Sequence, residues 1–197
     1  MPTATAHHDA VHHHELPTGG RALTGMAISA TLHCLTGCAI GEIAGMVVGT
    51  AAGLSNGTTV ILSIALAFVF GYGLTSLPLL RAGLALVTVL PIAFASDTLS
   101  IAVMEAVDNA IVLAVPGAID AGLDTTLFWG SLAFALAIAG AVAMPVNRWL
   151  IARGKGHAAV HETGVHGGPP VRLVGAVAAI AFVFGAVVLI AEALKSS

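Results

Sequence analysis

Charge is the scarcest property of this chain. Of 197 residues, 7 are Lys or Arg and 10 are Asp or Glu, 9% in all. With 57% hydrophobic residues and a mean hydropathy of +0.98, this excludes an ordinary soluble domain of that length. The net charge is −3 and no basic patch is present, so nucleic acid is not an expected partner. Cysteine is nearly absent as well. Cys34 and Cys38 are the only two, four apart in one apolar run, which excludes a secreted disulfide framework. There is no haem-attachment CxxCH, no Glu-x-x-His pair for a di-iron site and no glycine-rich phosphate loop. His33 is the only histidine inside an apolar run, so no hydrolase triad can be built. A secretory leader is not expected, because the first 20 residues are polar and no small-residue cleavage site follows the first apolar run.

What is present is long apolar runs, several exceeding the roughly 20 residues that cross a bilayer. The expected fold is all-α: a polytopic membrane helix bundle of about five transmembrane helices. The spans are read as Leu23–Leu54, Thr58–Leu77, Pro91–Val115, Thr126–Leu150 and Val171–Ala191. Ser55-Asn56-Gly57 marks the first turn and Pro78 the second stop. Residues 79–90 fit either an interfacial helix or the start of span three. Pro91 suits a first helical turn, Asp124 or Thr125 fits the fourth N-cap, and Pro145 should kink the far end of that span. Residues 1–22 form a polar tail with His7, His8, His12, His13 and His14, and residues 23–197 a single bundle. Loop 151–170, with His157, His161 and His166, is expected to be flexible.

The basic residues set an expected orientation. Arg21, Arg81, Arg148, Arg153, Lys155 and Arg172 fall on one side of the spans and only Lys195 on the other. By the positive-inside rule the N-terminus is inside and the C-terminus outside, with loop 151–170 cytoplasmic. Trp129 and Trp149, near opposite ends of span four, read as interface anchors.

Span one carries two rows at steps of four residues. Gly37, Gly41, Gly45, Gly49 and Gly53 form a glycine zipper on one face. Such a row lets another backbone come close, within the protomer or between protomers, and it also favours a homo-oligomer. Beside it run Cys34, Cys38, Glu42 and Met46, with His33 at the foot. Span three holds Asp97, Ser100, Met104, Glu105, Asp108 and Asn109, mostly on one broad face. Membrane carboxylates cost about 2.5–3.5 kcal/mol each at the bilayer centre, and no basic residue lies inside any span. Protons, a cation, water or polar partners must therefore offset them. At 1.5 Å per residue His33 lies about 13 Å deep, Cys38 about 21 Å and Glu42 about 27 Å. Asp97 lies about 9 Å deep, Glu105 about 21 Å and Asp108 about 26 Å. The two rows can face each other level by level.

Thiols, an imidazole and carboxylates together suit copper or zinc. The expected ligands are His33, Cys34, Cys38, Glu42, Glu105 and Asp108. Asp97, Glu105, Asp108 and Asn109 form an expected proton or ion pathway. Met46 and Met104 would favour Cu(I) if they turn inward, and the His-rich segments could capture ions. The bland alternatives stay open: cysteine also packs as a small apolar residue, and a lone intramembrane histidine often serves helix packing. The leading expectation is a non-enzymatic membrane protein that binds and moves a thiophilic metal ion. The alternatives are a proton- or cation-coupled transporter or channel built on the span-three acids, and a membrane thiol oxidoreductase. The last is disfavoured by CxxxC spacing, near the upper limit of Cα separation for a disulfide.

The motifs HCxxGCxxGE from His33 and DTxSIxxMExxDN from Asp97, with the segment FWGSLAFALAIAGAVAMPVNRWLIARGKGHAAVH, resemble one family. It is the bacterial integral-membrane family known as domain of unknown function 4396, and the resemblance covers about residues 26–162. It implies a multi-helix membrane fold and no particular activity; the expected location is the bacterial inner membrane. The matching positions are His33, Cys34, Cys38, Glu42, Asp97, Glu105, Asp108 and Asn109.

Overall fold

A computed structural model describes residues 19–161 and 171–195. The order is α1 (Gly20–Ala51), α2 (Asn56–Arg81), α3 (Leu86–Ala114), a 3-10 turn (Ala118–Asp120), α4 (Thr126–Ile151), the single turn α5 (Ala158–His161) and α6 (Val171–Lys195). Among the described residues there is no strand, and four helices (α1 to α4) are long and apolar enough to cross a membrane. The expected fifth span forms the 25-residue helix α6. The expected N-terminal histidines, Arg172's side chain, His161's side chain and His166 lie outside what the structure describes.

Glycine ends these helices more often than proline does. Gly53, at φ 64°, closes α1 while Leu54 N–H donates to Gly49 C=O at 2.9 Å and Gly53 N–H to Thr50 C=O at 3.2 Å. This is the double bond of a left-handed C-terminal cap. Gly53 therefore leaves the zipper: it sits past the helix end, where an added Cβ would meet nothing within 4 Å. Gly83, at φ 89°, stops α2 the same way, with Leu84 N–H on Leu79 C=O at 3.2 Å. The two proline boundaries are thereby corrected. Pro78 lies inside α2 and Pro91 inside α3, each removing one backbone donor near a helix end. Residues 79–81 extend α2 and residues 86–90 begin α3. Thr125 is the N-cap of α4, accepting from Phe128 N–H at 3.2 Å.

The four remaining zipper glycines pack against α2. A Cβ at Gly37 would meet the Gly71 backbone, at Gly41 the Ala67 backbone, at Gly45 Ser63 and at Gly49 Thr59. Steps of four up α1 thus meet steps of four down an antiparallel α2 (Thr59, Ser63, Ala67, Gly71, Thr75). The glycine face is used inside the chain, so it offers no argument for a second copy. On the other side α6 docks on α4, with Val188 over Gly130, Gly185 against Phe134 and the Phe134 and Phe182 rings 5.4 Å apart.

The burial pattern inverts that of a soluble bundle. Ile61, Val69, Val87, Phe94 and Leu113 are exposed, whereas Asp97, Ser100, Glu105, Asp108 and Asn147 are buried. Apolar residues outside and polar residues inside suit a lipid surround. All the Lys and Arg with described side chains are exposed. Trp129 and Trp149 are exposed too, the latter with the Arg153 guanidinium 4.1 Å over its ring.

Candidate metal centre and polar column

The polar rows of α1 and α3 meet along the bundle axis in two tiers. In the first, Cys34 Sγ on α1 donates to Asp97 Oδ1 on α3 at 3.7 Å, and both residues are 0% exposed. A third group arrives from a segment expected to be flexible. Gly154 and Gly156 adopt φ 65° and 62°, turns that other residues rarely make. They reverse the chain after α4, and Ala158 packs among Leu23, Ala27, Ala30 and Ile151. His157 is thereby carried into the bundle, with Nδ1 3.2 Å from Asp97 Oδ1. The donor atoms of Cys34, Asp97 and His157 all lie within 4.8 Å of one another.

His33 sits beside this group. Its Nε2 is 2.8 Å from Thr75 Oγ1, and its ring stands edge-on to His157 at 5.4 Å. The zipper register explains this pair, because His33 is one step of four below Gly37 and Thr75 one step above Gly71. Asn147 of α4 closes the tier by donating to Thr31 Oγ1 and Ser100 Oγ, each at 2.9 Å. We expect Asn147→Ala to cost about 1–2 kcal/mol through the lost buried bonds, read as a lower unfolding midpoint in detergent.

The second tier lies one to two turns further along. Cys38 neighbours Glu105, and Glu42 neighbours Asp108. Asn109 Nδ2 donates to the Glu105 backbone carbonyl at 2.9 Å. Both Glu42 carboxyl oxygens, Glu105 Oε1 and Asp108 Oδ1 are buried, and apart from the carboxyl-to-carboxyl contact of Glu42 with Asp108 no hydrogen-bond donor reaches them. Met104 is buried in one cluster with Cys34, Cys38 and Ile101. Met46 instead lines a cavity of about 120 Å³ whose wall includes Glu42, Asp108 and Asn109 and which extends to Thr50, Leu54 and Asn56.

The structure therefore divides the six expected metal ligands. Cys34 is in the three-donor group and His33 at its edge, while Cys38, Glu42, Glu105 and Asp108 belong to the second tier. Asp97, expected on an ion pathway, is the hub of the three-donor group. Sequence reasoning counted His157 only among the loop histidines that could capture ions, not among the ligands of the bundle, and it missed Thr75 and Asn147. The available signal was the G-x-G-H-A-A-V order after span four, two glycines and then an apolar return.

The chain matches, over residues 25–156, the family described as domain of unknown function (DUF4396). No curated protein and no solved structure matches it.

Proposed function

The chain belongs to that family, whose description carries no activity, so the reading must come from the site, and we propose that the protein binds and moves a thiophilic metal ion, copper or zinc, through the bundle. The observation that supports this is the spacing of the three donors. Tetrahedral zinc has Zn–S near 2.3 Å and Zn–N or Zn–O near 2.0–2.2 Å. Those bonds give ligand-to-ligand edges of about 3.6 Å for S to O and about 3.3 Å for N to O. The observed separations are 3.7 Å for Cys34 to Asp97 and 3.2 Å for His157 to Asp97. Three donors from α1, α3 and the loop before α5 leave a fourth position for an incoming or departing ligand, as open zinc sites do. Met104 beside the thiols adds a soft surface that suits Cu(I).

In this reading Cys38 and Glu105 form the next station toward the opposite end. The protein lies in the bacterial inner membrane with the His157 end cytoplasmic, in keeping with the basic residues gathered there. The test is metal analysis of the full chain against Cys34→Ser after loading with Zn(II) or with Cu(I) under reducing conditions. The comparison cancels whatever the histidine-rich tail holds. We expect one ion per chain fewer in the variant; equal metal content in the two proteins would sink the reading.

A further inference from the structure

We propose a second ion site, for a hard divalent cation, at the floor of the cavity between Glu42 and Asp108. It is independent of the thiol site and opens toward the other end of the bundle.

Glu42 and Asp108 meet carboxyl to carboxyl, and no other hydrogen-bond donor reaches either Glu42 oxygen, Glu105 Oε1 or Asp108 Oδ1, all of them buried. Glu42 is 6% exposed and Asp108 3%, and both face the cavity. Carboxylates gathered with no basic partner repel one another and lose hydration, so each needs a proton or a cation to offset it, and a cation bound here would take the place of those protons. The remaining wall supplies neutral oxygens rather than donors of positive charge. Ser63 and Ser131 line it, and Asn109 joins them, its Nδ2 donating to the Glu105 carbonyl at 2.9 Å and reaching Glu105 Oε2 at 3.5 Å. Oxygen donors of this kind suit Ca²⁺ or Mg²⁺ far better than a soft ion. The cavity, about 120 Å³, also has room for the waters such ions keep.

Access is separate as well. The cavity reaches Thr50, Leu54 and Asn56 at the end of α1 and start of α2, whereas His157 enters from the opposite end. Eight residues of α1 separate Cys34 from Glu42, about 12 Å along the axis. The two tiers thus present different chemistry to different sides.

Equilibrium dialysis of the full-length protein in detergent with radioactive calcium tests this. Calcium is the probe because neither thiols nor the histidine-rich segments compete for it. The expected result is saturable binding of one Ca²⁺ per chain, displaced by excess Mg²⁺, at least tenfold weaker in Glu42→Gln and in Asp108→Asn, and unchanged in Cys34→Ser. Absence of saturable binding to the wild-type protein overturns the proposal, and so does undiminished binding to the Glu42→Gln, Asp108→Asn double variant. Loss of calcium in Cys34→Ser overturns the independence of the two sites. The wild-type measurement stands even if a variant fails to fold, and loss of zinc or copper binding leaves it untouched.

Discussion

Gly41→Ala is expected to destabilise the protein by about 3 kcal/mol, the upper part of the range for overpacking a tight interface. The added methyl would fall on the backbone of Ala67, which has no rotamer to yield, so α1 and α2 must separate. The separation would reach the site, because His33 and Thr75 meet two steps along the same seam. The control is Gly73→Ala on α2, where nothing lies within 4 Å. There the substitution should be neutral or stabilise by about 0.5 kcal/mol through reduced backbone freedom. Thermal unfolding of the purified proteins in detergent reads both. Equal midpoints for the two variants would show that the seam tolerates a side chain.

His157→Ala is expected to weaken Zn(II) or Cu(I) binding by at least 100-fold. Loss of a direct ligand should exceed the 10–100-fold typical of supporting residues. Cys38→Ser, by contrast, should leave the first bound ion in place, since Cys38 lies outside the three-donor group. Competition titration against a chromophoric chelator separates the cases. A large loss in Cys38→Ser with none in His157→Ala would return the site to a pair of thiols on one helix.

These two residues also show how far the sequence could be read. The Cys34–Cys38–Glu42 row and the Asp97–Glu105–Asp108 row were visible because polar groups at helical spacing stand out in an apolar run. Their meeting followed from equal depth, and the structure pairs Cys38 with Glu105 and Glu42 with Asp108 at matching levels. The partner row on α2 was harder to see. Thr59, Ser63, Ala67, Gly71 and Thr75 are small residues of mixed type, common in any membrane helix, and only their register against the glycines gives them a role. Proline misplaces the end of α2 and the start of α3. Proline near a terminus costs one backbone bond, whereas Gly53 and Gly83 satisfy two carbonyls each by turning left-handed. His157 was hidden by its neighbourhood, since a polar stretch rich in glycine and histidine resembles a linker until Ala158 is seen to dock.

The chain also emerges in a particular order, and the seam between α1 and α2 gives that order a consequence. These two helices are synthesised first, and their close contact needs nothing that comes later. Once they have paired, Cys34, Cys38 and Glu42 still await their counterparts, which arrive only with α3. Asn147 follows on α4, and the imidazole of His157 comes after all four helices have been made. A nascent chain that has reached Arg153 can therefore hold its hairpin, its glycine seam and both polar rows while its three-donor group is one short. The ion-binding end of the molecule is finished late in translation, which separates assembly of the bundle from the moment at which it can first hold metal.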